Sequence, residues 1–128
     1  MTAGKAIEIA DQMRPNNEFS SEMKRIWLRQ ADARLREMVV VRNDVGADFD
    51  AVGADKADAM SMDAECVLLA PAAFDALYPH WLAAQIDLAL GETDRASNEL
   101  QLYSDAVQDF MVWLRRKYPP MQNGRFRY

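Results

Sequence analysis

The stretch that decides the fold is GETDRASNELQLYSDAVQDFMVWLRRKYPP, residues 91–120. Its large apolar residues alternate steps of three and four: Leu100, Tyr103, Val107, Phe110 and Leu114. Such steps place the side chains on one face of an α-helix, which turns once every ~3.6 residues. Gly91 is suited to end a preceding helix in the left-handed conformation, and Thr93 or Asp94 to cap this one. Pro119-Pro120 then stops it, so the stretch predicts the second arm of a helical hairpin.

The first arm of the hairpin is predicted just upstream. Its apolar residues are Phe74, Leu77, Tyr78, Trp81, Leu82, Ile86 and Leu88. Pro79 interrupts this pattern, and a proline in a helix interior costs about 3 kcal/mol unless the strain is relieved. We therefore expect a kink or a restart at Pro79.

Two further helices are predicted before residue 43. From Ala3 to Met13 the stripe is formed by Ala6, Ile7, Ala10 and Met13, and Arg14-Pro15-Asn16-Asn17 stops this helix. Ser20 is a good N-cap for the second helix, with Glu22 in its first turn. The apolar line of that helix contains Met23, Ile26, Trp27, Ala31, Leu35, Met38 and Val39. Its predicted basic outer face contains Lys24, Arg25, Arg29, Arg34 and Arg36.

Residues 43–65 are predicted to form a long acidic loop, because the helical pattern gives way to Asp, Ala and Gly. Loops of this length are usually functional or mobile. Asp44, Asp48, Asp50 and Asp55 are oxygen ligands that could bind calcium, but their spacing does not fit the helix-loop-helix calcium motif. A solvated loop is the simpler interpretation. The apolar run from Cys66 to Leu69 fits an extended segment.

Composition limits the classes of function. The chain has 128 residues, of which 50% are hydrophobic and 27% charged, as expected for one globular domain. A net charge of −5 disfavours sequence-independent binding of nucleic acid. Neither a membrane span nor a signal peptide is recognisable, so a cytoplasmic protein is expected. The single cysteine requires no oxidising compartment.

Few residues suggest catalysis. Cys66 and His80 could formally act as a nucleophile and its base. The alternative is that His80 caps or packs at a helix break and that Cys66 is a small buried hydrophobe. The sequence contains no phosphate-binding glycine loop, metal-spaced pair or nucleophile elbow. We therefore predict no enzymatic activity, catalytic residue, cofactor or metal.

Charge is segregated at the carboxyl end, where no acidic residue follows Asp109. Arg115, Arg116 and Lys117 fit the last turn of a helix, whose dipole favours cations, and a frayed tail would then follow. Phe126 and Tyr128 alternate with Arg125 and Arg127, as in a strand that docks onto another subunit. Both interpretations stay open on the sequence alone.

Several segments in order resemble the head-tail connector (adaptor, or head-completion) proteins of tailed bacteriophages and prophages. The resemblance covers the opening helix with Arg14-Pro15-Asn16, and a second helix with Trp27-Leu28. It continues through Val67–Pro71 and Phe74–Tyr78. Gln85-Ile86-Asp87, Gly91-Glu92 and the basic aromatic tail complete it. The match is poor in the acidic loop and at Pro79-His80.

The resemblance implies a subunit of a ring, typically twelve-fold, in the virion neck. Such a ring lies between the portal and the next neck protein, called the stopper or head-closure protein, and DNA passes through its channel without specific binding. An acidic chain suits a channel wall, because negative surface weakens contacts with phosphate. Assembly would take place in the host cytoplasm, with no membrane involved.

We therefore predict an all-α bundle of about four helices with a long acidic loop and an extended C-terminal tail. The helical connector domain is residues 1–118, with the acidic loop at 43–65, and the tail is 119–128. The predicted portal interface consists of Arg115, Arg116, Lys117, Arg125, Phe126, Arg127 and Tyr128. The basic face of the second helix is expected to meet the acidic surface of a neighbouring subunit. The alternative function is a small DNA-binding or DNA-packaging accessory protein.

Overall fold

A computed structural model describes residues 1–42 and 62–117. These residues form four α-helices: α1 (Ala3–Met13), α2 (Ser21–Arg42), α3 (Leu77–Ala89) and α4 (Thr93–Lys117). Within the described ranges the only β pairing is an isolated antiparallel bridge between Thr2 and Val67. The prediction of a small all-α bundle is confirmed, while residues 43–61 of the acidic loop and the tail 119–128 lie outside the described residues.

The ends of the helices follow from local hydrogen bonds. The Ser20 hydroxyl accepts a bond from the Met23 amide at 3.1 Å, which confirms Ser20 as the cap of α2. Gly91 has a φ of 77°, and the amides of Gly91 and Glu92 donate to the carbonyls of Leu88 and Asp87. This pair of hydrogen bonds is typical of a helix that ends at a left-handed residue, as predicted for Gly91. Because α4 begins at Thr93, its cap position falls on Glu92 and the predicted cap at Thr93 or Asp94 is wrong.

Pro79 lies in the first turn of α3, which begins at Leu77, so of the two predicted outcomes the structure has the restart and not the kink. Proline occupies the third position of α3, where the backbone N–H would have no partner inside the helix. Phe74 precedes the helix in a turn, where its ring lies 5.7 Å from that of Phe110. Phe74 therefore packs against the core although it lies before the beginning of the helix.

Helix α3 is the shared packing partner of the other three helices. Its buried residues include Leu77, Tyr78, Leu82 and Ile86, each with no exposed surface. The predicted seam of α4 also faces this core, since Phe110 and Leu114 are fully buried. The α3–α4 hairpin is thus confirmed, and α1 and α2 pack against it.

The segment that enters α3 crosses the beginning of α1. The amide of Ala3 donates to the Cys66 carbonyl at 2.8 Å, and the amide of Gly4 donates to the Ala64 carbonyl at 3.1 Å. A Cβ atom built on Gly4 would lie only 2.8 Å from the Ala64 carbonyl oxygen, so only glycine permits this approach. Met62 is fully buried beside them. Met62, near the end of the predicted acidic loop, therefore belongs to the core, whereas residues 63–65 are exposed.

Candidate functional site

A network of charged side chains joins α1 to the α3–α4 hairpin. The Arg14 guanidinium donates from Nε and Nη2 to the two carboxylate oxygens of Asp87, both at 2.8 Å. Nη2 also donates to Oε2 of Glu99 at 2.7 Å. The side chain of Asp87 is 1% exposed and that of Glu99 11%, so this network is almost sealed from solvent. Hydrogen bonds to Asp87 raise the pKa of Arg14, despite the opposing effect of burial.

The turn after α1 holds Arg14 in place for this contact. Asn16 has a φ of 66°, a left-handed conformation that asparagine tolerates well. The side-chain amide of Asn17 donates to the Arg14 carbonyl at 2.8 Å. The Arg-Pro-Asn-Asn segment thus ends α1 and also positions the Arg14 guanidinium against Asp87 and Glu99.

His80 belongs to the same network. Its Nδ1 atom lies 2.8 Å from Oε1 of Glu99, and its side chain is 25% exposed. Cys66 lies instead in the segment that crosses α1, where its thiol contacts the backbone of Met62. Burial, supported by the negative charge of Asp63, raises the pKa of the Cys66 thiol. Each of the two residues therefore has its own partner, and no hydrogen bond in the described ranges joins them.

A second buried network surrounds Asp32 in the middle of α2. Its carboxylate accepts bonds from Nε of Arg36 at 2.7 Å, the Tyr78 hydroxyl at 2.8 Å and the Leu69 amide at 3.1 Å. The Tyr78 hydroxyl in turn accepts a bond from the Ala70 amide at 3.0 Å. Burial and the charge of Asp32 raise the pKa of Tyr78 well above its ordinary value. Together these bonds attach α2 to α3 and to the segment that precedes α3.

The predicted basic outer face of α2 is wrong at two positions. Lys24 is 5% exposed and donates to Asp11 on α1 at 2.6 Å, and Arg36 is 5% exposed beside Asp32. Burial of Asp11 would raise its pKa, but the bonds from Lys24 and Asn17 outweigh this and lower it. These cations are neutralised inside the chain. Arg34 is exposed, as predicted, and Arg25 and Arg29 are partly buried.

The apolar line of α2 is also only partly buried. Met23 and Ile26 are each 41% exposed, whereas Leu28, outside the predicted line, is fully buried. The Nε atom of Arg29 is buried without a hydrogen-bond partner in the described part of the chain. The outward side of α2 therefore combines exposed apolar surface with Arg34, whose guanidinium lies 5.4 Å from the ring centre of Trp81.

The predicted interface residues fall into two groups. Arg115, Arg116 and Lys117 form the exposed last turn of α4, and the ammonium of Lys117 lies 5.1 Å from the ring centre of Trp113. Arg125, Phe126, Arg127 and Tyr128 lie outside the described residues. The structure thus brings together only the three helical cations, where they complement the helix dipole.

A surface groove runs between the carboxyl-terminal halves of α2 and α4. It has a volume of about 300 Å³. Its walls are formed by Met38, Ser104, Val107, Gln108, Met111, Val112 and Arg115. Only Arg115 is both a predicted interface residue and a groove residue. The rest of the lining is uncharged and combines Met and Val side chains with the polar Ser104 and Gln108.

Neither a metal cluster nor a spanning helix is present in the described ranges 1–42 and 62–117. No group of three or more His, Cys, Asp or Glu residues there is arranged to hold a metal ion. No helix in those ranges is long and apolar enough to cross a membrane. The residues considered for calcium, Asp44, Asp48, Asp50 and Asp55, lie outside the described residues.

No family model, curated protein or solved structure matches the chain. The described residues themselves define the class of fold, a small all-α bundle.

Proposed function

We propose that this chain is a head-tail connector (adaptor) subunit of a tailed bacteriophage. Copies of it form a ring, typically twelve-fold, between the portal and the stopper protein of the virion neck. DNA passes through the channel of this ring without specific binding, and assembly takes place in the host cytoplasm. The observation that carries the proposal is that the sequence segments resembling connector proteins contact one another in the fold.

These contacts link residues far apart in the sequence. Arg14, from the Arg-Pro-Asn turn, bonds Asp87, the last residue of Gln85-Ile86-Asp87. The indole N–H of Trp81 donates to the carbonyl of Trp27 at 2.8 Å, which joins the third family-like helix to the Trp-Leu pair of the second. The contacts therefore support a shared architecture with the connector family.

The buried charges support a structural role. Lys24, Arg36 and Asp32 are paired within the bundle, and so are Asp87 and Glu99. A buried charge that serves catalysis is typically directed into a cleft with a perturbed pKa. Here Lys24 joins α2 to α1 and Arg14 joins the end of α1 to the α3–α4 hairpin, while Arg36 and Asp32 pair within α2. Such internal pairing suits a subunit whose task is assembly.

The carboxyl end provides the proposed contact with the portal. Arg115 and Arg116 are exposed at the end of α4, next to the point where residues 118–128 continue the chain. Under the proposal, these cations act with Lys117 and with Arg125, Phe126, Arg127 and Tyr128 of the tail. Arginine and aromatic side chains are enriched in protein interfaces, where they supply much of the binding energy.

The test is complementation in the phage or prophage that encodes the chain. Loss of the gene should leave DNA-filled heads that are not joined to tails, as seen by electron microscopy. The full chain should restore joining, whereas a chain lacking residues 121–128 or carrying Arg115→Glu with Arg116→Glu should not. Arg95→Glu, at the opposite end of α4, is the matched control and should restore it. Circular dichroism should show the same helix content for all four proteins.

The outcome decides between assembly and other roles. Normal joining by the truncated chain would remove the docking role of the tail. Normal phage production without the gene would remove the connector assignment altogether.

The exposure of Arg115 and Arg116 also favours a second candidate, a small DNA-binding or DNA-packaging accessory protein. That function predicts affinity for duplex DNA that falls steeply with added salt, because each phosphate contact releases counterions. Arg115→Glu with Arg116→Glu should then abolish binding. Absence of binding at low salt would reject this candidate.

A further inference from the structure

His80 has one ring nitrogen that the fold leaves without a partner. Its Nδ1 atom contacts Oε1 of Glu99 at 2.8 Å, whereas Nε2 forms no hydrogen bond with the described residues. In the described ranges, the buried side-chain atoms that lack a partner are Oδ1 of Asn17 and Nε of Arg29. Since Nε2 is not among them and the side chain is 25% exposed, Nε2 reaches solvent. This nitrogen is therefore open to a ligand.

The neighbours of the ring decide what Nε2 can bind. A neutral imidazole carries one hydrogen, so one of its nitrogens donates and the other accepts. Oε2 of Glu99 accepts a bond from Nη2 of Arg14 at 2.7 Å, within an ion pair. An ionised carboxylate has no hydrogen of its own and can only accept. The hydrogen between Glu99 and His80 must therefore belong to the imidazole, which places it on Nδ1 and leaves a lone pair on Nε2.

The charges behind the ring favour a cation at this lone pair. Arg14 forms ion pairs with both Asp87 and Glu99, so one cation faces two carboxylates. Solvent screens this excess of negative charge only weakly, because the network is almost sealed. A cation at the exposed edge of the His80 ring is therefore attracted by the network, and an oxyanion is repelled.

We infer that Nε2 of His80 is a binding point for a cationic hydrogen-bond donor, the guanidinium of an arginine or the ammonium of a lysine in a partner protein. Such a group supplies both the hydrogen and the positive charge that the site lacks. Carboxylate and phosphate oxygens fit poorly, because they need a donor and the neutral ring has none to offer at Nε2. The inference does not depend on the connector function proposed above.

The position of the hydrogen is measured by nitrogen-15 NMR of the full chain. His80 is the only histidine in the sequence, so its two ring nitrogens are observed without interference from other rings. The spectrum is recorded at about pH 8.5, where an ordinary histidine is uncharged. Nδ1 should then show the chemical shift of a nitrogen that carries hydrogen, and Nε2 that of a bare nitrogen.

A pair of variants tests the role of Glu99. Glu99→Gln should bring the two shifts towards the values of a ring that exchanges between its two neutral forms, because an amide can donate as well as accept. Glu92→Gln, at an exposed carboxylate in the hairpin turn, is the matched control and should change neither shift. If circular dichroism shows that Glu99→Gln does not fold, the wild-type shifts alone decide the question.

Separate titrations with two small probes test the class of ligand. Zn²⁺ is a cation that binds the lone pair of a neutral imidazole, so it should shift the Nε2 signal and leave the hydrogen on Nδ1. Its affinity should fall about 10–100-fold in Glu99→Gln, the usual result of losing the carboxylate behind a metal-binding histidine. Inorganic phosphate, an oxyanion, should shift neither nitrogen.

Any of four results would overturn the inference. A hydrogen on Nε2 with a bare Nδ1 would reverse the roles of the two nitrogens. Equal shifts for both nitrogens in the wild-type chain would show that Glu99 does not fix the ring. An Nε2 signal that Zn²⁺ leaves unchanged would show that the lone pair is closed to ligands. A shift of Nε2 by phosphate would show that the site accepts oxyanions.

Discussion

Replacing Arg14 by Met should be among the most destabilising single changes in the chain. Methionine keeps the hydrocarbon stem but removes the guanidinium, leaving the carboxylate of Asp87, 1% exposed, without its cation. Removing one partner of a buried ion pair typically costs about 3–5 kcal/mol. The total stability of a domain is about 5–15 kcal/mol, so a large part of the free energy of unfolding would be lost.

The assay is urea unfolding followed by circular dichroism and tryptophan fluorescence. Lys5→Met is the control, because the pair of Lys5 with Glu8 is exposed and such pairs contribute about 0–1 kcal/mol. Adding Asp87→Leu to Arg14→Met should recover much of the loss, since the cost arises from a stranded charge. A cost for Arg14→Met as small as that of Lys5→Met would show that the network does not hold α1 to the hairpin.

Three further changes test other parts of the fold. Tyr78→Phe removes the bond to the buried carboxylate of Asp32 and should cost about 1.5–3 kcal/mol in the same unfolding assay. Because the pKa of Tyr78 is raised on folding, the contribution of its phenol is complete below pH ~10 and declines as the pH rises further. An ultraviolet titration in which all tyrosines ionise together at their ordinary pKa would contradict this. Gly4→Ala should cost about 1–3 kcal/mol, although alanine favours helices, because its Cβ would overlap the Ala64 backbone; an unchanged unfolding midpoint would show that the segment moves aside freely. The raised pKa of Cys66 should make its alkylation at mildly alkaline pH slower in the folded protein than in urea, and equal rates would refute the burial.

Much of the helical plan could be predicted from local sequence. The stripe from Ala3 to Met13, the Ser20 cap and the Gly91 turn act over a few residues, and each was confirmed. At Pro79 the sequence left a kink and a restart both open, because the same proline can break a helix or occupy its first turn.

The errors concern charges whose partners are distant in sequence. Lys24 and Arg36 lie on a helix that reads as having a basic outer face, yet both are buried against carboxylates. Arg14 and Asp87 are separated by 73 residues, and no local pattern indicates that they meet. Helical periodicity locates the buried face of a helix by its apolar residues. It therefore predicts that charged residues are exposed, even where they are buried in ion pairs.

The two carboxylates that receive Arg14 come from different arms of one hairpin, which has a consequence for the order of folding. Asp87 and Glu99 are near each other in sequence and can be brought together by the Gly91 turn alone. The arginine must close a chain loop of 73 residues to reach them, an entropic cost that local contacts do not carry. The hairpin is therefore expected to form early and to act as the template on which the amino-terminal helix settles last.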